Sequence, residues 1–172
     1  MAPFSFELLG PHHDRAAFSC GNPALDDYLW TKARKERDLG YCSVVVMVEG
    51  TTPSAIAGYY TLSAHTLDIS ALDDRLRTKM PKYPLVPVTL LGRLARASHM
   101  DGRHAGETML MHALAQSARS AATIGSHAVV VDAIDDRASE FYRRYGFIAV
   151  KSDARRLYLP METIRKLDLN VP

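Results

Sequence analysis

The sequence predicts a single mixed α/β (α+β) domain in which helices cover a central, mostly antiparallel sheet. The chain has 172 residues, of which 47% are hydrophobic and 23% charged, as is typical of one globular domain. Short β-branched runs alternate along it with stretches of helical periodicity. No repeat or low-complexity linker interrupts this pattern, so we expect one domain over residues 1–172.

The first elements are a strand, a helix and a hairpin. Residues 4–9 read as a short strand. A helix is expected to begin at Asn22, because asparagine is a good N-cap and the proline that follows suits the first helical turn, and to end at Gly40. The β-branched run at 42–49 and the segment at 55–67 then predict two paired strands joined by a turn.

The remaining elements alternate in type. They are a short basic helix at 72–79, a loop broken by Pro81, Pro84 and Pro87, a strand at 88–95, a glycine-containing loop at 102–106, a helix that ends at Gly125, a strand at 127–133, a helix from Asp135 to Gly146, and two strands at 147–150 and 155–159. This order favours a mixed sheet with helices on its faces.

Basic residues are concentrated in one part of the chain, although the formal net charge is only +2. Between positions 75 and 103 Asp101 is the one acidic residue, and the basic ones are Arg75, Arg77, Lys79, Lys82, Arg93, Arg96 and Arg103. The segment predicts contact with an anionic partner, or else a solvated basic surface. Lys32, Arg34, Lys35 and Arg37 add to the charge on the first helix.

Several classes of protein do not fit the sequence. No apolar run approaches the ~20 residues of a membrane span, and the N-terminal segment lacks the pattern of a signal peptide. Cys20 and Cys42 are too few for a disulfide framework, which favours reduced thiols and a cytoplasmic location. The histidines show no metal-binding spacing, so we expect no metal.

Two segments have the features of functional sites. The loop at 102–106 leads into a helix, whose first N–H groups and dipole attract anions such as a pyrophosphate; the alternative is an ordinary turn. The helix containing Tyr142 follows a predicted strand, and its phenol is either a functional group or a core aromatic.

Together these segments resemble the GCN5-related N-acetyltransferase family over nearly the whole chain. FYRRYGF at 141–147 is similar to the terminal helix signature of the family, and the loop at 101–106 stands at the position of its pyrophosphate loop. The segments at 18–29, 58–64 and 81–95 resemble the branch of acetyltransferase toxins from bacterial toxin–antitoxin pairs. That branch acetylates the α-amine of aminoacyl-tRNA and is neutralised by ribbon-helix-helix antitoxins.

The resemblance implies acetyl-CoA as co-substrate, a homodimer and roles for individual residues. Tyr142 is the expected general acid that protonates the leaving thiolate. The basic residues expected to bind tRNA are Arg93, Arg75, Arg77, Lys79 and Lys82, and for Arg93 the alternative is a structural ion pair. The residues expected to bind the cofactor are Leu94, Ala95, Arg96, Gly102, Arg103, His104, Ala105, Gly106, Glu107, Thr108 and Ser139. A backbone N–H of the 94–96 stretch is the expected oxyanion donor.

The loop departs from the family pattern at two positions. Asp101 stands where Gln or Arg is usual, and His104 stands where glycine is usual. Weaker binding of acetyl-CoA is therefore one expectation, and a degenerate domain that only binds a partner is an alternative function.

Amine chemistry agrees with the substrate that the resemblance implies. No obvious paired carboxylate supplies a strong general base, with Glu49 and Asp132 as the overlooked candidates. An α-amine titrates near ~8 and a lysine near ~10.4, so a site without a base suits an α-amine. Aminoacyl-tRNA is the substrate we expect, and a small amine or a protein N-terminus is the alternative.

Overall fold

The computed structural model describes residues 3–169. Its strands are β1 (Phe4–Leu8), β2 (Ser43–Glu49), β3 (Thr52–Asp68), β4 (Leu85–Arg96), β5 (Ala128–Asp132), β6 (Ile148–Val150) and β7 (Asp153–Pro160). Its α-helices are α1 (Pro23–Asp27), α2 (Ala33–Asp38), α3 (Asp74–Arg77), α4 (Ala105–Ala121), α5 (Asp136–Arg144) and α6 (Met161–Arg165). A π-helical turn, Tyr28–Lys32, joins α1 to α2, and 3-10 turns lie at Ile69–Ala71 and Ser98–Met100.

The strands form a seven-stranded sheet in the order β1-β2-β3-β4-β5-β7-β6. The pairs β1–β2, β2–β3, β5–β7 and β6–β7 are antiparallel. β4 and β5 pair in parallel, through Thr89, Leu90 and Leu91 of β4. The predicted fold class, a mixed and mostly antiparallel sheet with helices, is confirmed.

The described chain divides into two compact units, one made of residues 3–63, 92–113 and 169 and the other of residues 64–91 and 114–168. β3 and β4 each contribute residues to both units. The prediction of a single domain over residues 1–172 stays a prediction, and residues 1, 2 and 170–172 lie outside the described part.

In the first unit, the side chains of β3 alternate between two packed faces. Tyr59 packs its ring against Phe18 and Tyr28, with ring centroids 5.4 and 6.3 Å away. Tyr60, the next residue, points the other way, and its hydroxyl bonds Nδ1 of His112 on α4 at 2.8 Å. This alternation is the period of two that a strand imposes on its side chains.

Gly58 lies where β3 approaches α4 closely. A Cβ atom there would stand 2.5 Å from Sδ of Met109 and 3.1 Å from the carbonyl oxygen of Ala95. A distance of 2.5 Å to the sulfur of Met109 is shorter than real Cβ atoms allow. The close packing of α4 on β3 therefore depends on glycine, which has no side chain, at position 58.

The helix predicted from Asn22 to Gly40 is interrupted by the π-helical turn. Asn22 does act as the N-cap, accepting the N–H groups of Ala24 and Leu25. Within the turn Ala33 donates to the carbonyl of Tyr28, five residues back. Arg15 then donates to the carbonyl oxygens of Leu29 and Trp30 at 3.4 and 3.3 Å, a side-chain contribution that local sequence periodicity does not show.

The second unit has a core of its own. It is formed by side chains of β3, β4, β5, β6 and β7 and of the turn after β3, namely Leu67, Leu72, Val86, Val88, Ala128, Val130, Val150 and Tyr158. The hydroxyl of Tyr158 accepts the N–H of Asp73 at 3.1 Å. This bond ties the segment before α3 to β7.

The prediction that Pro87 lies in a loop is wrong, because β4 begins at Leu85. Proline lacks only the N–H, and the carbonyl of Pro87 accepts the N–H of His127 at 2.8 Å. The sequence analysis also missed α6, a short helix whose Met161 and Ile164 are buried. Among residues 3–169, no helix is both long and apolar enough to cross a membrane.

Candidate active site

The loop before α4 has a backbone conformation that exposes N–H groups. Gly102 and His104 both have positive φ, at 74° and 55°. Glycine adopts this conformation freely, whereas for His104 it is strained, though histidine tolerates it better than most residues. The loop therefore keeps the left-handed conformation at a position where the side chain disfavours it.

Four consecutive N–H groups remain without an acceptor in the described structure, those of His104, Ala105, Gly106 and Glu107. The neighbouring amides are used: Arg103 donates to Met100 at 3.2 Å and Thr108 to His104 at 3.0 Å. Free N–H groups at the start of a 17-residue helix attract an anion, because the helix dipole adds to their partial charges. The arrangement suits a pyrophosphate.

The charged side chains of the loop are bound to each other or to the sheet. Asp101 accepts from Arg96 at 2.7 Å and from the N–H of Gly102 at 3.1 Å. Arg103 pairs with Glu49 at 2.5 Å, and its guanidinium lies 5.1 Å from the ring of Phe4. Arg103 is thus engaged by the protein through its side chain as well as its amide, while the charge of Asp101 is balanced by Arg96.

The stretch expected to run beside the cofactor arm is the last part of β4. Leu94, Ala95 and Arg96 follow the residues that pair with β5. Ala95 is buried, and Leu94 and Arg96 are half-buried. Ala97, the next residue, donates its N–H to Ala57 at 2.8 Å, which fixes the end of β4 within the first unit.

In the second unit, Tyr142 lies on α5 and is 8% exposed. Its ring packs against Phe141 and Phe147 with centroids 5.2 and 5.4 Å away. Among the described residues the hydroxyl has no hydrogen-bond partner. Burial raises the pKa of Tyr142 above its usual value, so the phenol keeps its proton at neutral pH.

Both ends of α5 are capped, and the second cap accounts for the glycine of the FYRRYGF segment. Asp135 accepts the N–H of Ala138 at 2.8 Å at the start of the helix. At the end, Gly146 has a φ of 92° and donates to Arg143, and Phe147 donates to the carbonyl of Tyr142. Glycine is required for this turn, which closes the helix directly after Tyr142.

Ser139 has a structural partner. It is buried on α5, and its hydroxyl donates to the carbonyl of Ala154 at 3.4 Å and accepts from Arg143 at 3.5 Å. Its expected role toward a cofactor stays a prediction.

The two carboxylates considered as overlooked bases are both paired with arginine. Glu49 binds Arg103, and Asp132 accepts two bonds from Arg156 at 2.7 and 2.8 Å. Neither carboxylate can therefore take a proton from a substrate without giving up its ion pair with a guanidinium.

The basic residues expected to bind tRNA are exposed in the second unit, except for Arg93. Arg75, Arg77, Lys79 and Lys82 lie on α3 or directly after it. Arg77 lies 3.5 Å from Asp74. Arg93, in the first unit, is half-buried and stacks on the ring of Tyr28, 3.5 Å from its centroid. The sequence analysis did not predict this contact.

One group of histidine and carboxylate side chains in the described chain has metal-ligand proximity: Glu7, His12 and His13. Nδ1 of His13 accepts the N–H of Gly10 at 2.9 Å, so the neutral ring has its proton on Nε2, which donates to Glu7 at 3.1 Å. His12 bonds the same carboxylate at 3.0 Å. The hydrogen bond from His12 contributes most to holding the pKa of Glu7 below its usual value, and the contact with His13 acts in the same direction. This pattern favours a hydrogen-bonded cluster, because a metal needs the lone pair where the proton lies.

Comparison with known proteins assigns the family. No protein-family model matches the chain. It is 30% identical to the probable toxin TacT of Sinorhizobium fredii, over 94% of this chain and 93% of that protein. It is 32% identical to a tRNA-acetylating toxin of Mycobacterium tuberculosis, over 90% of each. The chain belongs to the acetyltransferase toxins of the GCN5-related N-acetyltransferase family. The family predicted from the sequence motifs is confirmed.

Solved structures of similar proteins have the same fold. AtaT complexed with acetyl-methionyl-tRNAfMet superposes with a TM-score of 0.88 and 27% identity, covering 95% of this chain and 98% of AtaT. AtaTR bound with AcCoA has a TM-score of 0.82 and 27% identity over 94% and 96% of the two chains. A tyrosine-to-phenylalanine variant of AtaT bound to the C-terminus of the antitoxin AtaR has a TM-score of 0.80 and 25% identity over 94% and 96%.

Proposed function

We propose that this toxin transfers the acetyl group of acetyl-CoA to the α-amine of aminoacyl-tRNA and thereby blocks translation. The main structural support is the run of four N–H groups at the start of α4, His104 to Glu107, which have no acceptor within residues 3–169. Such a run binds the pyrophosphate of a nucleotide cofactor through the backbone alone. Membership of the toxin family supports tRNA as the carrier of the amine.

The chemistry that we assign to Tyr142 is protonation of the leaving thiolate. A buried phenol with a raised pKa remains protonated until the thiolate appears. The amine needs no strong base, because an α-amine is appreciably neutral near pH 8, and both candidate carboxylates are paired with arginine. A backbone N–H in the 94–96 stretch is the donor that we assign to the oxyanion.

The tRNA contacts that we propose are electrostatic. Arg75, Arg77, Lys79 and Lys82 are exposed and would bind phosphates, and Arg93 adds a guanidinium in the first unit. Each phosphate contact contributes about 0.7–0.9 to the slope of log affinity against log salt. Activity on tRNA should therefore fall steeply with ionic strength, and a flat dependence would contradict a nucleic-acid substrate.

We further propose that the toxin acts in the cytoplasm as a homodimer and is neutralised by a ribbon-helix-helix antitoxin. The support is the family and the complex of its relative AtaT with an antitoxin segment. Coexpression with any small ribbon-helix-helix protein encoded beside the toxin gene, followed by copurification, tests the antitoxin.

The deciding experiment incubates the purified toxin with labelled acetyl-CoA and a mixture of aminoacylated tRNAs. Label should appear in N-acetyl-aminoacyl-tRNA, and a matched reaction with deacylated tRNA should give none. In a parallel reaction that supplies small amines and peptides in place of tRNA, label on those acceptors alone would favour the alternative acetyltransferase. Failure to bind acetyl-CoA at millimolar concentration would leave only a partner-binding domain.

A further inference from the structure

Arg93 is a half-buried cation without a carboxylate partner. Its guanidinium lies 3.5 Å from the ring centroid of Tyr28, and among residues 3–169 it makes neither an ion pair nor a hydrogen bond. A guanidinium stacked in this way uses its flat face, while its N–H groups, which lie in the plane of the group, remain free. Free coplanar N–H groups match the two oxygens of a phosphate or carboxylate.

Tyr28 is held in place by hydrogen bonds at its far end. The ring is 2% exposed, and the hydroxyl donates to Glu36 at 2.8 Å. Sγ of Cys42 lies 3.3 Å from the same oxygen. A phenol has one proton, which goes to Glu36, so the thiol of Cys42 must be the donor in the second contact. The order is therefore Cys42 thiol to Tyr28 hydroxyl to Glu36 carboxylate.

This chain of hydrogen bonds has two consequences for Arg93. Burial above all, followed by the bonds to Cys42 and Glu36, raises the pKa of Tyr28, so the ring under the guanidinium stays a neutral phenol. The carboxylate of Glu36 accepts the hydrogen bond of the phenol, and within residues 3–169 it forms no ion pair with Arg93. Both effects favour a bound anion at Arg93.

We propose, on the basis of the function proposed above, that Tyr28, Glu36 and Cys42 form a positioning network that holds Arg93 as the receptor for a phosphodiester of the acceptor RNA. Tyr28 acts through Arg93 and is a positioning residue. A phosphodiester is favoured over a carboxylate because the proposed substrate contains it at every nucleotide. The network would then set the affinity for tRNA without affecting acetyl-CoA.

The test compares four variants with the wild-type toxin. Arg93→Ala removes the receptor, Tyr28→Leu removes the ring, and Tyr28→Phe keeps the ring but removes the hydroxyl. Tyr59→Phe is the matched control, since it deletes another buried hydroxyl, bonded to the carbonyl of Leu25 at 2.6 Å, in the same unit. KM for aminoacyl-tRNA, KM for acetyl-CoA and equilibrium binding of deacylated tRNA are measured at several salt concentrations.

We expect KM for aminoacyl-tRNA to rise roughly 10-fold or more in Arg93→Ala, as for loss of a charge-assisted hydrogen bond. Tyr28→Leu should raise it about 3- to 10-fold and Tyr28→Phe about 2-fold, while KM for acetyl-CoA and the Tyr59→Phe control stay unchanged. The salt slope should fall by about 0.7 in Arg93→Ala. It should be unchanged in Tyr28→Leu, which keeps the charge.

The double variant separates positioning from general stability. If Tyr28 acts only through Arg93, Tyr28→Leu has no further effect in the Arg93→Ala background. Additive losses, or equal increases in KM for both substrates, would overturn the proposal. Should Tyr28→Leu fail to fold, the same cycle with Tyr28→Phe decides the point, because that variant keeps the buried ring.

The role of the Cys42 thiol as a donor is tested by comparing a variant that keeps a donor with one that removes it. Cys42→Ser keeps a donor to the Tyr28 oxygen and should bind tRNA like the wild type, whereas Cys42→Ala should resemble Tyr28→Phe. Equal behaviour of the two would remove Cys42 from the network.

The measurement of deacylated-tRNA binding distinguishes a failure of this inference from a failure of the proposed function. A toxin that binds deacylated tRNA but does not acetylate charged tRNA would contradict the proposed function, while the variants would still decide the role of Tyr28 in binding. A wild-type toxin that binds no tRNA would overturn this inference outright.

Discussion

The N-terminus of α4 and the helix α5 hold their proposed functional groups in different ways. At α4 the donors are backbone N–H groups, displayed by a loop whose side chains are engaged elsewhere: Asp101 with Arg96 and Arg103 with Glu49. At α5 the functional group is one phenol, Tyr142, which helix caps and aromatic neighbours fix in place. A backbone site should tolerate side-chain changes that keep its conformation, whereas a side-chain site should not.

The largest expected effect is that of Tyr142→Phe. The hydroxyl has no partner in the described structure and the ring is buried, so the variant should fold normally. Loss of the general acid should lower kcat roughly 10²- to 10⁴-fold with little change in either KM. Steady-state kinetics on aminoacyl-tRNA, with the thermal midpoint as a check on folding, measure this.

A matched control for that variant lies in the same unit. Tyr158→Phe removes a hydroxyl that accepts the N–H of Asp73, so it should cost stability, about 1 kcal/mol, and leave kcat unchanged. Wild-type kcat in Tyr142→Phe would show that α5 contributes only packing, and the contrast between the two regions would disappear.

The dependence of the rate on pH is the next largest expected effect. Below the pKa of the α-amine, near ~8, kcat/KM should rise about tenfold per pH unit, because only the neutral amine attacks. Above it the rate should stay level to about pH 10, since burial raises the pKa of Tyr142 and keeps the acid protonated. Short assays corrected for spontaneous ester hydrolysis are required. A fall in rate between pH 8 and 9 would point to a different acid.

The backbone site can be tested at His104, whose φ is 55°. His104→Gly keeps the conformation without strain and should leave KM for acetyl-CoA within about threefold of the wild type. His104→Val places a β-branched side chain in the left-handed region, at a cost of about 1–2 kcal/mol, and should raise that KM roughly 10-fold. Initial rates at varied acetyl-CoA concentration measure both values of KM. A large loss in His104→Gly would instead show that the imidazole itself contacts the phosphate.

The difference between side-chain and backbone sites also explains which elements the sequence could predict. Elements with strong local signals were predicted well: the Asn22 cap, the β-branched run of β2 and the Gly146 end of α5 all lie as expected. The loop at 102–106 is a weak sequence signal for an anion site, because every residue except proline has a backbone N–H and residue type does not show which ones are free.

Features that depend on partners distant in sequence could not be predicted. The π-helical turn is stabilised by Arg15, and the stacking of Arg93 needs Tyr28. Glu49, an overlooked candidate for a base in the sequence, is paired with the distant Arg103. Adjacent histidines at 12 and 13 were the only sign of the cluster with Glu7. In each case the deciding contact joins separate segments, which periodicity and capping rules do not reach.

The smallest expected effect is at Asp101, where the sequence places a negative charge beside the expected phosphate site. Because its carboxylate is bonded to Arg96 at 2.7 Å and is 82% exposed, its field is largely balanced and screened. Asp101→Asn should therefore change KM for acetyl-CoA by less than about threefold. Arg96→Gln, which leaves the carboxylate unpaired, should raise that KM more, and the difference should shrink at high salt. If Asp101→Asn alone tightened acetyl-CoA binding tenfold, the loop before α4 would act through its side chains as much as through its backbone. The contrast with α5, whose functional group is a side chain, would then disappear.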